Sequence, residues 1–473
     1  MQKRKRTSLT VTAALVTLGV LSLSGRAFAV PVEYDFVSLF SSNTTLPSFI
    51  VTLPSINNSG NVAYVRRGDA VHSFDPILVR HDGTAENVIT QGALASGGRS
   101  TDINDNGAII IGKDTGALNR FNANGTVTTL TTADGTAGTP FSSFGIFPSI
   151  NNNGEVAAKV TTNGNTAFEI RRFGGASDAA NTGTLIERVG NPADPGDLHH
   201  TLGDPDINDA GVVAFKGTDF AAPGHVKVLT GDGTGPVSDA ADLSVLNGNS
   251  SSEARINNSG AVAAGQASGV LTAQGGAVNI IDDGLIGNYQ STRRVGFNNF
   301  GGVVFDATVR NDIGDSTKNG QQGLFTGADH VDDKVIQTGD TVLGGTVNEI
   351  RFVGNGTNDL GQVAFLMSND LAGPSGSTTS FIVRADPRGS KKSFALLPTR
   401  VVAIEKKFEF DLKIRNALGV KAPIFLDPIV AVGYTFEIGA GGENFASLII
   451  PDRRRLCGRR RGSDGDGSPH RRR

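Results

Sequence analysis

The sequence predicts an all-β fold: a seven-bladed β-propeller built from tandem repeats, followed by a small antiparallel β-domain that reads as truncated. Three observations lead there. A motif of the form Ile-Asn-x-x-Gly-x-Val-Ala-Phe recurs seven times. Its copies are spaced 41 to 60 residues apart, near the length of a four-stranded blade. The 473 residues include 62 Gly but only 4 Tyr, 2 Met and no Trp, and outside the N-terminus no run of Ala, Leu, Glu and Lys marks a long helix.

The motif explains itself residue by residue. Its Asn positions are Asn57, Asn104, Asn151, Asn208, Asn257, Asn298 and Asn358, and its Gly positions are Gly60, Gly107, Gly154, Gly211, Gly260, Gly301 and Gly361. The Asn side chain can accept a hydrogen bond from the backbone two residues on, closing an Asx turn. The Gly supplies the left-handed backbone that lets the turn lead into a strand. The apolar run that follows is continuous rather than alternating, as in a strand buried on both faces. Ala in its middle keeps volume small where blades stack.

The remainder of each repeat reads as further strands around tight turns, such as Ile77–Gly92 and Ala117–Leu130. Seven units favour a closed ring, because closure buries the two end units against each other. An open β-solenoid is the competing architecture, but it wants shorter and more uniform periods. The last repeat is short of strands, and the segment Val32–Phe40 has no partner of its own. A permuted ring satisfies both: Val32–Phe40 is expected to pair with Ser380–Ala385.

These seven units resemble the bacterial exported proteins known as choice-of-anchor tandem NxxGxVAF repeat proteins, over roughly residues 30–386. The resemblance implies a secreted or cell-surface bacterial protein with no established enzymatic activity. It also implies a C-terminal anchor, such as a Pro-Glu-Pro sorting signal with an apolar helix and a basic end. This sequence departs from the family in lacking that end.

The organisation expected along the chain is a signal peptide at 1–29, a seven-repeat propeller at 30–387, a small β-domain at 388–450 and a disordered Arg-rich tail at 451–473. Lys3 to Arg6 form a charged start, Leu9–Leu23 is apolar, and Ala27-Phe28-Ala29 is a small-x-small cleavage site. No other segment reaches the ~20 apolar residues of a membrane span, so no membrane insertion is expected after cleavage. The small domain rests on two alternating stretches, Lys407–Ile414 and Pro428–Ile438. The basic tail begins abruptly enough to suggest a shifted reading frame. Without residues 1–29 and 451–473, 29 Lys and Arg face 43 Asp and Glu, a balance that repels nucleic acid. The single cysteine, Cys457, excludes an internal disulfide.

Little in the sequence points to catalysis. Asp102, Asn104 and Asn106 fit the opening of a calcium loop, but Lys113 stands where a bidentate Glu is needed, and a structural turn is the better reading. His199 and His200 beside Asp194, Asp197 and Asp204 read as a solvated polar loop without ligand geometry. Gly231–Pro236 lacks the Lys-Ser/Thr of a phosphate loop and reads as a hairpin turn. No nucleophile elbow, zinc helix or Cys pair is present, and no cofactor is called for. The expected function is a non-catalytic binding or structural module for an extracellular ligand, a polysaccharide or a protein. The alternative is a secreted carbohydrate-active or other hydrolytic enzyme with its site at the propeller mouth, built on the insertions near 188–204 and 310–322.

Overall fold

A computed structural model describes residues 33–42, 50–68, 75–91, 100–113, 116–133, 139–162, 168–174, 182–189, 199–219, 225–246, 251–266, 269–283, 287–310, 320–371, 378–388, 434–438 and 444–448. The expected signal segment, the expected Lys407–Ile414 strand, the Arg-rich tail and most of both long insertions lie outside these residues. The chain divides into two compact units, 1–399 and 400–473. Of the second, Tyr434–Ile438 and Asn444–Leu448 form an antiparallel pair.

The first unit is all-β, interrupted among the described residues only by single 3-10 turns at Leu243–Val245 and Gly354–Gly356. Each motif joins an inner strand to a second strand, and two more strands follow outward. Repeat 1, for example, runs Ser55–Ile56, Val62–Arg67, Pro76–His81 and Glu86–Gln91, all antiparallel. Repeats 2 and 3 carry the same order and touch edge to edge through one parallel pair, Phe141 with Ala133. Repeat 7 takes its outer strand from the far end of the sequence: Tyr34–Ser42 pairs antiparallel with Thr378–Pro387, from Tyr34 opposite Pro387 to Ser42 opposite Ser380. Arg388 clamps this seam with ion pairs to Glu33 and Asp35.

The apolar run of the motif is why the units stack. Strand residues alternate faces, so Val62 and Tyr64 pack back against repeat 7 with Leu39, Ala364 and Ile382, while Ala63 packs forward with Ile103 and Ile109 of repeat 2. The same division holds around the ring. Val213 and Phe215 face repeat 3, and Ala214 faces repeat 5. Val363 and Phe365 face repeat 6, and Ala364 faces repeat 1. Seven apolar clusters result, one at each junction, including the junction of the last repeat with the first. The ring has no free end for an open solenoid to extend.

Candidate functional site

The central channel has two unlike ends, and the repeat turns build the narrow one. All seven motif glycines sit at φ between +73° and +83°, where a side chain is strained. Each motif Asn accepts backbone N–H bonds from within its own turn, as Asn57 Oδ1 does from Ser59 and Asn61. Its Nδ2 then donates to the backbone carbonyl of the next motif Asn. The order runs 57, 104, 151, 208, 257, 298, 358 and back to 57, at 2.8–3.4 Å. Seven side chains thereby close a continuous cycle.

A second cycle lies at the next position: Asn58, Asp105, Asn152, Asp209, Asn258, Asn299 and Asp359. Each backbone N–H donates to the following residue's Oδ1 at 2.7–2.9 Å, and Asp359 returns to Asn58. Every Asp has an Asn on both sides, and the free oxygen Oδ2 of each accepts from both amides. No two carboxylates are adjacent, and three is the most a seven-membered ring can hold on that condition. Four arginines add a latch outside these cycles. Arg80, Arg120, Arg172 and Arg384 each donate to the carbonyl of the next repeat's motif Gly.

Deeper in the channel lies the residue before each motif Ile or its equivalent: Ser55, Asp102, Ser149, Asp206, Arg255, Gly296 and Gly356. Here the repeats stop being alike. Asp102 accepts from Ile150 N–H and Asp206 from Ile256 N–H, so each carboxylate ties its repeat to the next. Ser149 Oγ stands 3.0 Å from Asp102 and 2.7 Å from Asp206. One hydroxyl proton serves two carboxyls only if a carboxyl supplies the other. Burial supports this, pushing Asp102 up to about 7 against the bonds from Ile150 and Ser149. Arg255 closes the channel beside them, paired with Glu253 and Asp206 and hydrogen-bonded to Asn355. Burial opposes its charge, but Glu253, Asp206 and Asp102 more than offset that. Its guanidinium lies against Gly354, where any Cβ would collide. The free space between this plug and the Asn cycles is about 140 Å³, room for a few waters.

Beyond the plug the channel opens into a wide mouth of about 620 Å³. A β-bulge shapes one wall. Between the pairs Thr292–Ala307 and Val295–Phe305, the two residues Arg293 and Arg294 stand opposite the single residue Asp306. Two consecutive arginines thereby line one cavity, where a regular strand would send them to opposite faces. Arg294 is held by the Phe352 carbonyl and lies over the Phe147 ring. Asp306 accepts from Gln322, and burial raises its pKa. Arg351 pairs with Glu349 at the rim.

The calcium candidates are committed to other partners. Asp102 is engaged by Ser149 and Ile150, Asn104 belongs to the first cycle, and Asn106 donates to the Asn152 carbonyl. Among the described residues, no cluster of three His, Cys, Asp or Glu is placed to hold a metal. The polar-loop reading of residues 194–204 needs correction. His199–Leu202 is a strand paired with Val213–Asp219, and Asp204 is mostly buried, pushed up to about 6 by that burial and then by Glu253. The strand carries it inward to the channel wall. Asp194 and Asp197 lie outside the described residues. The Gly231–Pro236 segment joins the strands Val226–Gly231 and Ser238–Asp242.

Ring and channel together define a β-propeller. By sequence the chain belongs to a family of unknown function, DUF7453, which matches residues 108–391. No curated protein matches it in sequence. Among solved structures it is similar to the extracellular domain of a B. thetaiotaomicron hybrid two-component system, at 10% identity and TM-score 0.42, over 74% of this chain and 41% of that one. It is also similar to the polysaccharide lyase Uly1, at 9% identity and TM-score 0.40, over 73% and 91%. A third is a gluconolactonase from Xanthomonas campestris, at 12% identity and TM-score 0.34, over 59% and 88%. At such scores these likenesses carry no weight for function. No helix among the described residues is long and apolar enough to cross a membrane.

Proposed function

We propose that this chain is an exported, non-catalytic binding propeller of bacterial origin that takes an extracellular ligand in its wide mouth. The observation that carries this reading is the contrast between the two ends of the channel. At the narrow end the Asn and Asp side chains are committed to hydrogen bonds that close the ring. At the wide end a cavity of about 620 Å³ is bordered by charged groups, among them Arg293. That volume suits a small ligand or one segment of a polymer. The leader-like residues 1–29 support export, and the seven motif copies support kinship with the NxxGxVAF repeat proteins.

The enzymatic alternative has less to stand on. Asp204, the carboxyl held near pH 6, borders a void of only about 10 Å³ together with Glu253 and Arg255. That is space for one water and not for a substrate group. The test is to screen the purified chain against soluble polysaccharides and extracellular proteins while assaying turnover alongside. Binding that is lost on Phe147→Ala, without turnover, is the expected result. Turnover abolished by one substitution at the mouth would overturn this reading.

A further inference from the structure

Arg293 is the unusual group in the wide mouth. Its side chain is exposed and forms no hydrogen bond or close ion pair with any described residue, only a longer-range attraction to the buried Asp306. Its neighbours are already committed: Arg294 to the Phe352 carbonyl and the Phe147 ring, and Asp306 to Gln322. Arg351, at the end of the inner strand Gly345–Arg351 of the neighbouring repeat 7, is 60% exposed and paired with a half-exposed Glu349. An exposed pair of that kind contributes little, so Arg351 can turn to another anion at small cost. The bulge gives Arg293 its place, since without it one of the two arginines would point away from the cavity.

The background charge sharpens the point. Between residues 30 and 450 the chain has 14 more acidic than basic residues. In so acidic a body, an exposed cation without a close ion pair beside a cavity stands out. The cavity wall mixes charged and polar side chains with apolar surface from residues such as Ile146 and Leu366, which fits a hydrated ligand better than a greasy one.

Building on the mouth as the binding site, we infer that its ligand is an acidic saccharide whose carboxylate or sulfate group is bound by Arg293, with Arg351 of the neighbouring repeat closing on it. Guanidinium geometry matches both anions through paired N–H donors. The contact is ionic and partly open to solvent, so it weakens as salt rises.

The test is calorimetric titration of the purified chain with three oligosaccharides of matched length: oligogalacturonate, dextran sulfate and neutral dextran. At low salt at least one of the two acidic probes binds and the neutral one does not; which acidic probe binds tells carboxylate from sulfate. Arg293→Ala weakens that binding about tenfold or more. Arg293→Lys recovers part of it, and Lys227→Ala on an outer strand of repeat 4 leaves it unchanged. A circular dichroism spectrum matching the parent's shows that the Arg293 variants are folded. If neutral dextran binds as well as the acidic probes and Phe147→Ala still abolishes binding, the mouth is the site but the anion inference is wrong. If neither acidic probe binds, or Arg293→Ala leaves binding intact, the inference is likewise overturned. If an acidic probe binds and neither Phe147→Ala nor Arg293→Ala affects it, the mouth reading falls as well.

Discussion

Replacing Asn152 by Asp places a fourth carboxylate in the second hydrogen-bonded cycle, and it falls between two others. Asn152 Nδ2 donates to Asp105 and to Asp209, each at 3.0 Å. The substitution removes both bonds and sets like charges at comparable distance. Losing two bonds to charged acceptors costs about 1.5 kcal/mol each. Two repulsions at well-hydrated separations of ~4 Å cost about 1 kcal/mol each. A total of about 3–5 kcal/mol at pH 8 follows, allowing for relaxation of the turn. Asn258→Asp is the internal comparison, because it has one Asp neighbour and donates one such bond, to Asp209 at 2.7 Å. It should cost about half as much. The introduced carboxyl has its folded pKa raised above the unfolded value near 4 by its neighbours. The repulsive penalty is therefore absent below pH ~4 and develops as pH rises through the folded pKa. Urea unfolding followed by circular dichroism is the suitable assay, since the chain has no Trp for fluorescence and guanidinium chloride would screen the charges. Equal costs for the two variants, or a gap that does not narrow on acidification, would refute the cycle as the source of the effect.

Two further predictions use the same assay. Gly154→Ala and Gly301→Ala both force a side chain into left-handed backbone, at about 1 kcal/mol or more. At Gly154 the new Cβ would also meet Arg120 Nη1 at 2.6 Å and break its latch, whereas at Gly301 nothing lies within 4 Å. Gly154→Ala should therefore cost about 1–2 kcal/mol more, and equal losses would dismiss the latch. Asp102→Asn should stabilise the chain at pH 8. Its folded pKa, near 7, lies above the unfolded 3.8, so stability that is full below pH ~4 is lost as pH rises to ~7. Removing that titration should gain on the order of 1–4 kcal/mol at pH 8 and flatten the profile between pH 4 and 7. A variant less stable at pH 8, with the slope unchanged, would place the titrating proton elsewhere.

How much of this was legible in the sequence depended on whether a feature repeats. The turn Asn and Gly, the buried Val-Ala-Phe run and the unpaired N-terminal strand all follow from periodicity and local geometry. What the Asn amide does with its second half does not, because its partner lies 41 to 60 residues away or, for Asn358, 301 residues back. A signal was present all the same: the position after the motif Asn is only ever Asn or Asp, and it is never Asp in two neighbouring repeats. The position before the motif Ile carries Asp, Ser, Arg and Gly by turns, and that irregularity marks the channel plug. Arg293 offered less, because a bulge depends on the register of two strands and leaves no local pattern. Asp204 was misread because its polar neighbours look like a loop, while the strand at His199–Leu202 brings it inside.

Ring closure by the strand Tyr34–Ser42 is the central claim, and deletion of residues 33–42 followed by hydrogen exchange tests it most directly. The strand covers Thr378–Pro387 along its length, buries Tyr34 and Leu39, and sets Phe36 edge-on to Phe365. If closure makes the seven repeats a single cooperative body, the deletion should lower amide protection in every repeat. That includes Val213–Asp219, in repeat 4, far around the ring from the seam. Loss of protection confined to repeats 7 and 1, with repeat 4 unchanged, would contradict the account.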